Sequence, residues 1–412
     1  MARSDKVAIV GVGRVGLPFA LYLAEKGMNV HGIDVDEKRI ATLRAKAMPF
    51  MEAGAQELLD RHVGKRFHPT TDVATIAQAE TVIVTLGTPV DEHLNPEFEA
   101  IEKIFASFRP HLRKGQLVIL RSTVMPGTTE FMARKLREWG LDPGKDLHLA
   151  FCPERIAEGK TLEELPQIPQ LVGGLDSGSR DRAAAFFEGL TGPVFPTDAR
   201  SAEIGKLFCN VYRYVDFAIG NEFMMIADQF DRDVHEIVDL VNKGYKRAGI
   251  KRPGMTGGPC LYKDGFFLVE RTPYPDLLTT AWKINESVPA YLIEGLAKRM
   301  GTLENKVVAV LGLSFKKEID DTRNSLSFKA IKILGRRGAA VLRHDPYVLP
   351  GDLDEILQKA DAVLVCTDHD AYKKLGLKGL TQKTRGGTHV ADVWNVFQTG
   401  KVFFEAGARA AK

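Results

Sequence analysis

Apolar residues in this chain gather in short unbroken runs toward both ends and fall into a helical rhythm between them. The first run, Val7–Val10, is followed by Gly11-Val-Gly-Arg-Val-Gly16 and a helical pattern through Ala24. A turn at Lys26–Gly27 then leads to a second run, Asn29–Ile33, that ends in Asp34. Further strands are predicted at Thr81–Leu86, Leu117–Leu120 and Leu147–Ala150, with helical stretches between them. Strands alternating with helices in this way predict a parallel α/β sheet.

From Asp198 the pattern changes. Ser201 to Gln229 reads as one helix, with apolar residues at Ile204, Leu207, Phe208, Val211, Val215, Phe223 and Ile226 and no proline inside. Thr197 or Asp198 is its expected cap. A helix of that length spans about 45 Å, more than an ordinary domain element. It is predicted to form a spine between two domains and a homodimer surface that buries those seven side chains. Shorter helices are expected at Val234–Val241 and around Leu277–Met300. At Asn305 the α/β pattern restarts, with strands Val307–Gly312, Ala340–Leu342, Ala362–Cys366 and His389–Val393 and a helix Leu326–Gly335. The expected class is therefore α/β: two doubly wound parallel-sheet domains, 1–198 and 303–412, joined by a helical middle, 199–302.

Composition changes this picture little. Hydrophobic content of 44%, charged content of 26% and a net charge of +3 describe an ordinary globular protein. Such a weak and dispersed charge argues against nucleic acid as a partner. Cys152, Cys209, Cys260 and Cys366 are scattered, with no paired spacing for zinc or a disulfide framework. A reducing cytoplasm and no metal are expected. Met1–Lys6 leads directly into the first strand without a signal-peptide core. No apolar run reaches the ~18 residues that a membrane span needs.

The candidate chemistry lies at strand ends and on the long helix. Gly11, Gly13 and Gly16, with Val15 in the same turn, would let a pyrophosphate approach a helix amino terminus. Asp34, eighteen residues after Gly16, can accept from both ribose hydroxyls and would repel a 2′-phosphate, so the expected cofactor is NAD rather than NADP. Thr88 in Gly87-Thr-Pro89, Thr123 in Ser122–Thr128 and Glu154 in Cys152–Arg155 follow successive strands, and ligands of doubly wound sheets gather there. Lys206 and Asn210 share one face of the long helix, where a lysine is more often a solvated charge. Cys260 follows a turn holding Gly254, Gly257 and Gly258 and precedes Lys263 and Asp264. An isolated cysteine so placed is more often a buried structural residue, but a charged neighbourhood beside a hydride-accepting site suits a nucleophilic thiolate. Lys316 and Arg323, after the strand at Val307, offer cationic donors to phosphates.

In this order the segments resemble the UDP-glucose/GDP-mannose dehydrogenase family across nearly the whole chain. The likeness rests on the glycine turn, Gly87-Thr-Pro89, Ser122-Thr-Val-Met-Pro-Gly-Thr128, Pro153-Glu-Arg155, Ala202-Glu-Ile-Gly-Lys-Leu-Phe-Cys-Asn210, Gly257-Gly-Pro-Cys-Leu-Tyr-Lys-Asp264 and Phe315-Lys-Lys-Glu-Ile-Asp-Asp-Thr-Arg-Asn-Ser325. Asp345-Pro-Tyr347 and Thr367-Asp-His369 are similar to that family's third domain. Two departures stand out: the loop before Cys260 is a residue shorter than in many members, and Trp394 stands where many carry arginine.

The resemblance implies Rossmann-like outer domains and a four-electron, NAD-dependent oxidation of the C6 alcohol of a UDP-sugar to a carboxylate. It implies Cys260 as nucleophile, Lys206 and Asn210 as stabilisers of developing oxyanions, Asp264 and Thr123 as holders of water, and Glu154 as base. It also implies substrate contacts at Glu154, Arg155, Lys206, Asn210, Gly257, Lys263, Phe315 and Lys316, and a cofactor contact at Arg323. Lys263–Asp264 resembles the UDP-glucose and GDP-mannose branches, whereas Asn210-Val-Tyr-Arg213 with Asn221-Glu222, and Pro153–Gly159, resemble the UDP-N-acetylhexosamine branch. Glucose and an N-acetylated sugar both stay open on these residues. Two other classes fit parts of the pattern: a two-electron dehydrogenase of the 6-phosphogluconate type, which has no need of Cys260, and a non-catalytic NAD-binding regulator.

Overall fold

The computed structural model describes residues 5–85, 87, 98–247, 249–269 and 272–407. Its contacts divide the chain into two compact units, Met1–Cys209 with Phe266–Leu268 and Asn210–Gly265 with Val269–Lys412.

In the first unit, strands β1 (Lys6–Val10), β2 (Asn29–Ile33), β3 (Phe67–Thr70), β4 (Thr81–Val84), β5 (Leu117–Leu120), β6 (His148–Phe151), β7 (Gln170–Gly174) and β8 (Val194–Asp198) form one sheet, in the order β3-β2-β1-β4-β5-β6-β7-β8. Side chains alternate across it. Val7 and Ile9 enter one core with the helix Gly16–Glu25, while Ala8 and Val10 enter another with Phe105, Phe108 and Met132. Both faces are therefore covered, which explains unbroken apolar runs in place of polar–apolar alternation. All neighbours are parallel except β6 and β7, a departure from the purely parallel sheet expected. Strand order reverses direction between β1 and β4, and the crevice that opens there is where such sheets hold ligands.

The second unit repeats this construction on a smaller scale. Strands β9 (Val307–Leu311), β10 (Ala340–His344), β11 (Ala362–Val365), β12 (Thr388–Asp392) and β13 (Phe403–Ala406) stand in the order β10-β9-β11-β12-β13, with only β12 and β13 antiparallel. Gly312 N–H donates to the His344 carbonyl at 2.8 Å, as Gly11 N–H does to Ile33 at 2.7 Å. Leu313 N–H donates to the Asp345 carboxylate at 2.6 Å, as Val12 N–H does to Asp34 at 3.0 Å. Asp345 goes further: its carboxylate also accepts the N–H groups of Ser314, Tyr347 and Val348, and His369 Nε2 lies 3.1 Å away. The Glu318 N–H reaches His369 Nδ1 at 3.1 Å, which assigns the ring proton to Nε2.

The helix Ala199–Gln229 runs 31 residues, starting two before the position expected, and the boundary between the units falls within it. Asp198 accepts the Ser201 N–H at 2.9 Å and the Ser201 hydroxyl at 2.6 Å, the expected cap. The seven apolar residues read as one stripe do not share an environment. Leu207 is fully buried and Ile204, Val211 and Val215 are half-buried, whereas Phe208, Phe223 and Ile226 are exposed. A helix this apolar presents more than one face, and spacing gives no rule for which of them the chain itself covers. Among the described residues no helix is long and apolar enough to cross a membrane.

Burial would raise the Asp345 carboxyl, but the bonds from His369 and from the backbone N–H groups of Ser314, Leu313 and Tyr347 outweigh it and hold the group well below the usual carboxylate range. A depressed carboxyl contributes stability above its unfolded value and loses it as the pH falls. Asp345→Asn is expected to cost about 3 kcal/mol at neutral pH, since it leaves buried donors poorly matched. The gap from the parent should narrow as the pH drops below about 4. Urea denaturation of both proteins at pH 7 and at pH 3.5 measures this; a gap that stays constant across that range rules the account out.

Candidate active site

The glycine turn after β1 is shaped by contacts that exclude side chains. A Cβ on Gly16 would lie 1.9 Å from the Gly11 carbonyl oxygen and 2.5 Å from Thr85 Oγ1. A Cβ on Gly13 would meet nothing within 4 Å, so the turn is closed behind Gly16 and open at Gly13. Gly11 holds a φ of 95°, which glycine adopts without strain. Val15 is half-buried and immediately precedes the helix Gly16–Glu25. An open turn at a helix amino terminus fits a pyrophosphate.

Asp34, 8% exposed, sits at the end of β2. Its carboxylate accepts Val12 N–H and Asp36 N–H, both at 3.0 Å, and pairs with Arg39 at 2.7 Å. Arg39 also lies 3.4 Å from Asp36. The sequence reading did not single out Arg39. It places a cation beside the expected ribose site, yet between two carboxylates that offset its charge.

Thr123 follows β5 and Glu154 follows β6; both are half-buried in the first unit. The Glu154 N–H donates to the Arg121 carbonyl at 3.2 Å, and the Glu154 carboxylate accepts the Ile156 N–H. Arg155, expected to contact substrate, donates to the Pro169 carbonyl. Lys206 is buried in place of being a solvated charge. One turn before it, Glu203 was also not singled out. It is 1% exposed and accepts the Gly127 N–H (2.6 Å), the Thr129 N–H (2.8 Å) and the Thr129 hydroxyl (2.6 Å). Burial pushes its carboxyl up, against those same bonds. A glutamate amid the small and apolar residues of Ala202–Leu207 was the available signal. Thr88 lies outside the described residues.

In the second unit, Cys260 is exposed and opens the short helix Leu261–Asp264, with Asp264 N–H bonded to its carbonyl at 3.0 Å. Asp264 is fully buried, and Asn210 Nδ2 donates to its carboxylate at 2.6 Å. Lys263 and Lys316 are half-buried. The loop before the cysteine is pressed against its neighbours. Gly258 has a φ of 98°, and a Cβ there would lie 2.6 Å from the Phe315 ring; one on Gly257 would lie 2.5 Å from the Asn324 carbonyl. Arg323 is more than half exposed and bonds Asp321 through both Nε and Nη2.

Trp394, whose role the sequence left open, is fixed by this same loop. Its ring would collide at 2.4 Å with any Cβ on Gly254, and its indole N–H donates to the Cys366 carbonyl at 3.0 Å. Asn221 completes the clamp, accepting the Gly254 N–H at 2.9 Å and donating to the Gly254 carbonyl at 3.1 Å and to Asn285 at 2.9 Å.

The cysteines separate by burial. Desolvation pushes the Cys152 thiol up to about 12 and raises Cys366 further, so both stay protonated at neutral pH. Cys209 is half-buried on the long helix, leaving Cys260 as the exposed thiol of the four.

The chain matches the UDP-glucose/GDP-mannose dehydrogenase family in its NAD binding domain over residues 5–191, its central domain over 200–287 and its UDP binding domain over 309–399. It is 32% identical to the UDP-N-acetyl-D-mannosamine dehydrogenase of Methanocaldococcus jannaschii, across 92% of this chain and 90% of that protein. The solved structure of the UDP-D-ManNAc dehydrogenase of Pyrococcus horikoshii is similar, with a TM-score of 0.86 and 30% identity over 92% of this chain and 93% of that one. A UDP-glucose dehydrogenase from Pyrobaculum islandicum is similar at 26% identity and a TM-score of 0.85, over 95% and 94% of the two chains.

The Asp34–Arg39 pair gives the cofactor site a measurable signature. Asp34→Ala removes the carboxylate expected to accept from the ribose hydroxyls and leaves Arg39 paired with Asp36. NADH affinity is expected to fall about tenfold, the worth of one such bond. NADPH should lose less or gain. Fluorescence titration of both nucleotides tests this, and an unchanged NADH-to-NADPH ratio counts against it.

Proposed function

The chain belongs to the UDP-glucose/GDP-mannose dehydrogenase family of NAD-dependent oxidoreductases, and we propose that it oxidises the C6 alcohol of a UDP-N-acetylhexosamine to the carboxylate. The observation that carries this reading is an exposed Cys260 one helical turn before a buried Asp264 that Asn210 holds at 2.6 Å. The N-acetylated sugar is favoured by the named activity of the Methanocaldococcus relative and by the resemblance of Asn210–Arg213 and Asn221-Glu222 to that branch. The family's three matches support the working division into 1–198 for the cofactor, 199–302 as the middle and 303–412 for the uridine nucleotide.

Gly11, Gly13, Val15, Gly16 and Asp34 would hold the cofactor, with Thr88, Thr123 and Arg323 as further contacts. Bound NAD supplies the acceptor for the two electrons of each oxidation. The first oxidation converts the C6 alcohol to an aldehyde, releasing the hydroxyl proton. The Cys260 thiolate then attacks the aldehyde carbon; a C–S bond forms and the carbonyl pair moves to oxygen as an oxyanion. Lys206 and Asn210 are the donors for that charge. The second oxidation removes the remaining hydrogen of C6 and leaves a thioester. Glu154 takes a proton from water, aided by Asp264 and Thr123. The hydroxide adds to the thioester carbon, the C–S bond breaks, and the thiolate returns with release of the uronate. Arg155, Gly257, Lys263, Phe315 and Lys316 complete the substrate contacts in this reading.

A homodimer is the second part of the proposal. Phe208, Tyr212, Ile219, Phe223, Ile226 and Phe230 recur at helical spacing along Ala199–Gln229 and just beyond, with Phe208 59% and Tyr212 70% exposed. Leu240, in the helix Val234–Asn242, is also exposed. Large apolar side chains left exposed at this spacing mark a surface for a partner. Sedimentation equilibrium at micromolar concentration is expected to give twice the chain mass, and Tyr212→Glu with Phe223→Glu to halve it; a monomeric parent refutes the dimer.

Two NADH are expected per sugar consumed when UDP-N-acetylmannosamine is offered in limiting amount. Cys260→Ser should lower uronate formation by at least about a thousandfold while retaining NADH binding. A ratio of one NADH per sugar, with a carbonyl product and full activity in Cys260→Ser, identifies a two-electron dehydrogenase instead.

A further inference from the structure

Arg121 is 1% exposed, at the carboxyl end of β5, and lies among the largest fully buried side chains of the protein. Its guanidinium sits over the Phe19 ring at 4.4 Å and near the Phe187 ring at 5.4 Å. Burial lowers its pKa, while the nearby Glu154 carboxylate opposes that shift. Taking a guanidinium out of water is costly, and an apolar side chain of similar volume would fill such a site with no such cost. Its presence therefore calls for a task that packing does not perform.

Its bonds all lead to one turn. Nη1 donates to the Cys152 carbonyl at 3.2 Å and to Gln170 Oε1 at 3.1 Å. Gln170, 2% exposed, passes the link on, its Nε2 donating to the Pro153 carbonyl at 3.0 Å. The Glu154 N–H closes the ring by donating to the Arg121 carbonyl at 3.2 Å. The polar backbone groups of three consecutive residues, Cys152, Pro153 and Glu154, are thus fastened by Arg121 and the amide it holds. The ring that carries the guanidinium, Phe19, belongs to the helix that begins at the glycine turn.

We propose that Arg121, with Gln170, is a positioning residue for Glu154: the buried guanidinium locks the Cys152–Glu154 turn so that the carboxylate is aimed for thioester hydrolysis. This rests on the reading of Glu154 as the base of that step. The guanidinium touches neither substrate nor cofactor in this role. Its effect is expected chiefly on the final step, because Glu154 serves as a base in neither oxidation.

The test follows the steps separately in the full-length protein, with UDP-N-acetylmannosamine and NAD. Rapid mixing records NADH, and intact mass records sugar covalently held on the protein. Glu154→Gln is the reference. Arg121→Met and Gln170→Met are expected to keep NADH binding and the rate of the first NADH close to the parent. Both should slow uronate release by about a hundredfold, the scale of a misplaced base, and accumulate the covalent adduct. Arg121→Lys, which can keep one of the two bonds, is expected between them and the parent. Should Arg121→Met fail to fold, Gln170→Met, which removes no charge, decides the matter by the same split. Equal slowing of all steps, or rapid uronate release in variants that fold, overturns the positioning role while Glu154→Gln still traps the adduct. If Glu154→Gln itself releases uronate at the parent rate, the base assignment falls and this inference with it.

Discussion

A carboxylate at the end of a second parallel strand, accepting N–H groups from the glycine turn beside it, is the bond on which both sheets build. In the first sheet Asp34 takes Val12 and Asp36 and keeps a share of its lone pairs for what lies outside. Asp345, in the second, takes four backbone N–H groups and a histidine proton and is fully buried. One geometry thus serves two ends. The partly satisfied acid suits the recognition role proposed for it, whereas the saturated one is a rivet that shapes Leu313–Lys316. Burial decides between these roles more than residue type, since a carboxylate in the interior must find its partners there.

What could be read from the sequence was local. The glycine turn, the strands Asn29–Ile33 and Leu117–Leu120, and the Asp198 cap are specified by residues within a few positions of one another, and the structure has them as expected. Cys260 and Asp264 are four apart and needed no tertiary information. Arg121, Glu203, Arg39 and Trp394 were not legible in the same way. Arg121 draws its meaning from Gln170, 49 residues away. Glu203 draws its own from Thr129, 74 residues away. The strands β3 and β8 each carry a proline and short polar stretches, so their pairing rests on neighbours that a pattern read along the chain does not see. The stripe assigned to Ile204–Ile226 divides between buried and exposed positions for a related reason: period marks a face as apolar, but not which body covers it.

The loop before Cys260 illustrates how a short glycine-rich segment becomes rigid. Gly254 is bracketed by Trp394 and by a bond in each direction with Asn221, and Gly258 lies against Phe315. Glycine is chosen there for closeness, and the flexibility it brings is removed again by what it is close to. Trp394 acts there as a wedge against Gly254, pinned by its indole N–H. Cys260 is thereby set on a backbone with little freedom to wander, which suits the nucleophilic role proposed for it.

The unequal burial of the cysteines has a consequence outside the reaction. Thiolate character and access govern oxidation, so hydrogen peroxide or a disulfide reagent meets Cys260 well before the sealed Cys152 and Cys366. Oxidation of the cysteines is accordingly concentrated at Cys260, the proposed nucleophile, and spares the buried pair. On the proposed mechanism the fold would survive an oxidation of Cys260 that silences the activity, and a thiol reductant would restore it from the sulfenic acid or a mixed disulfide.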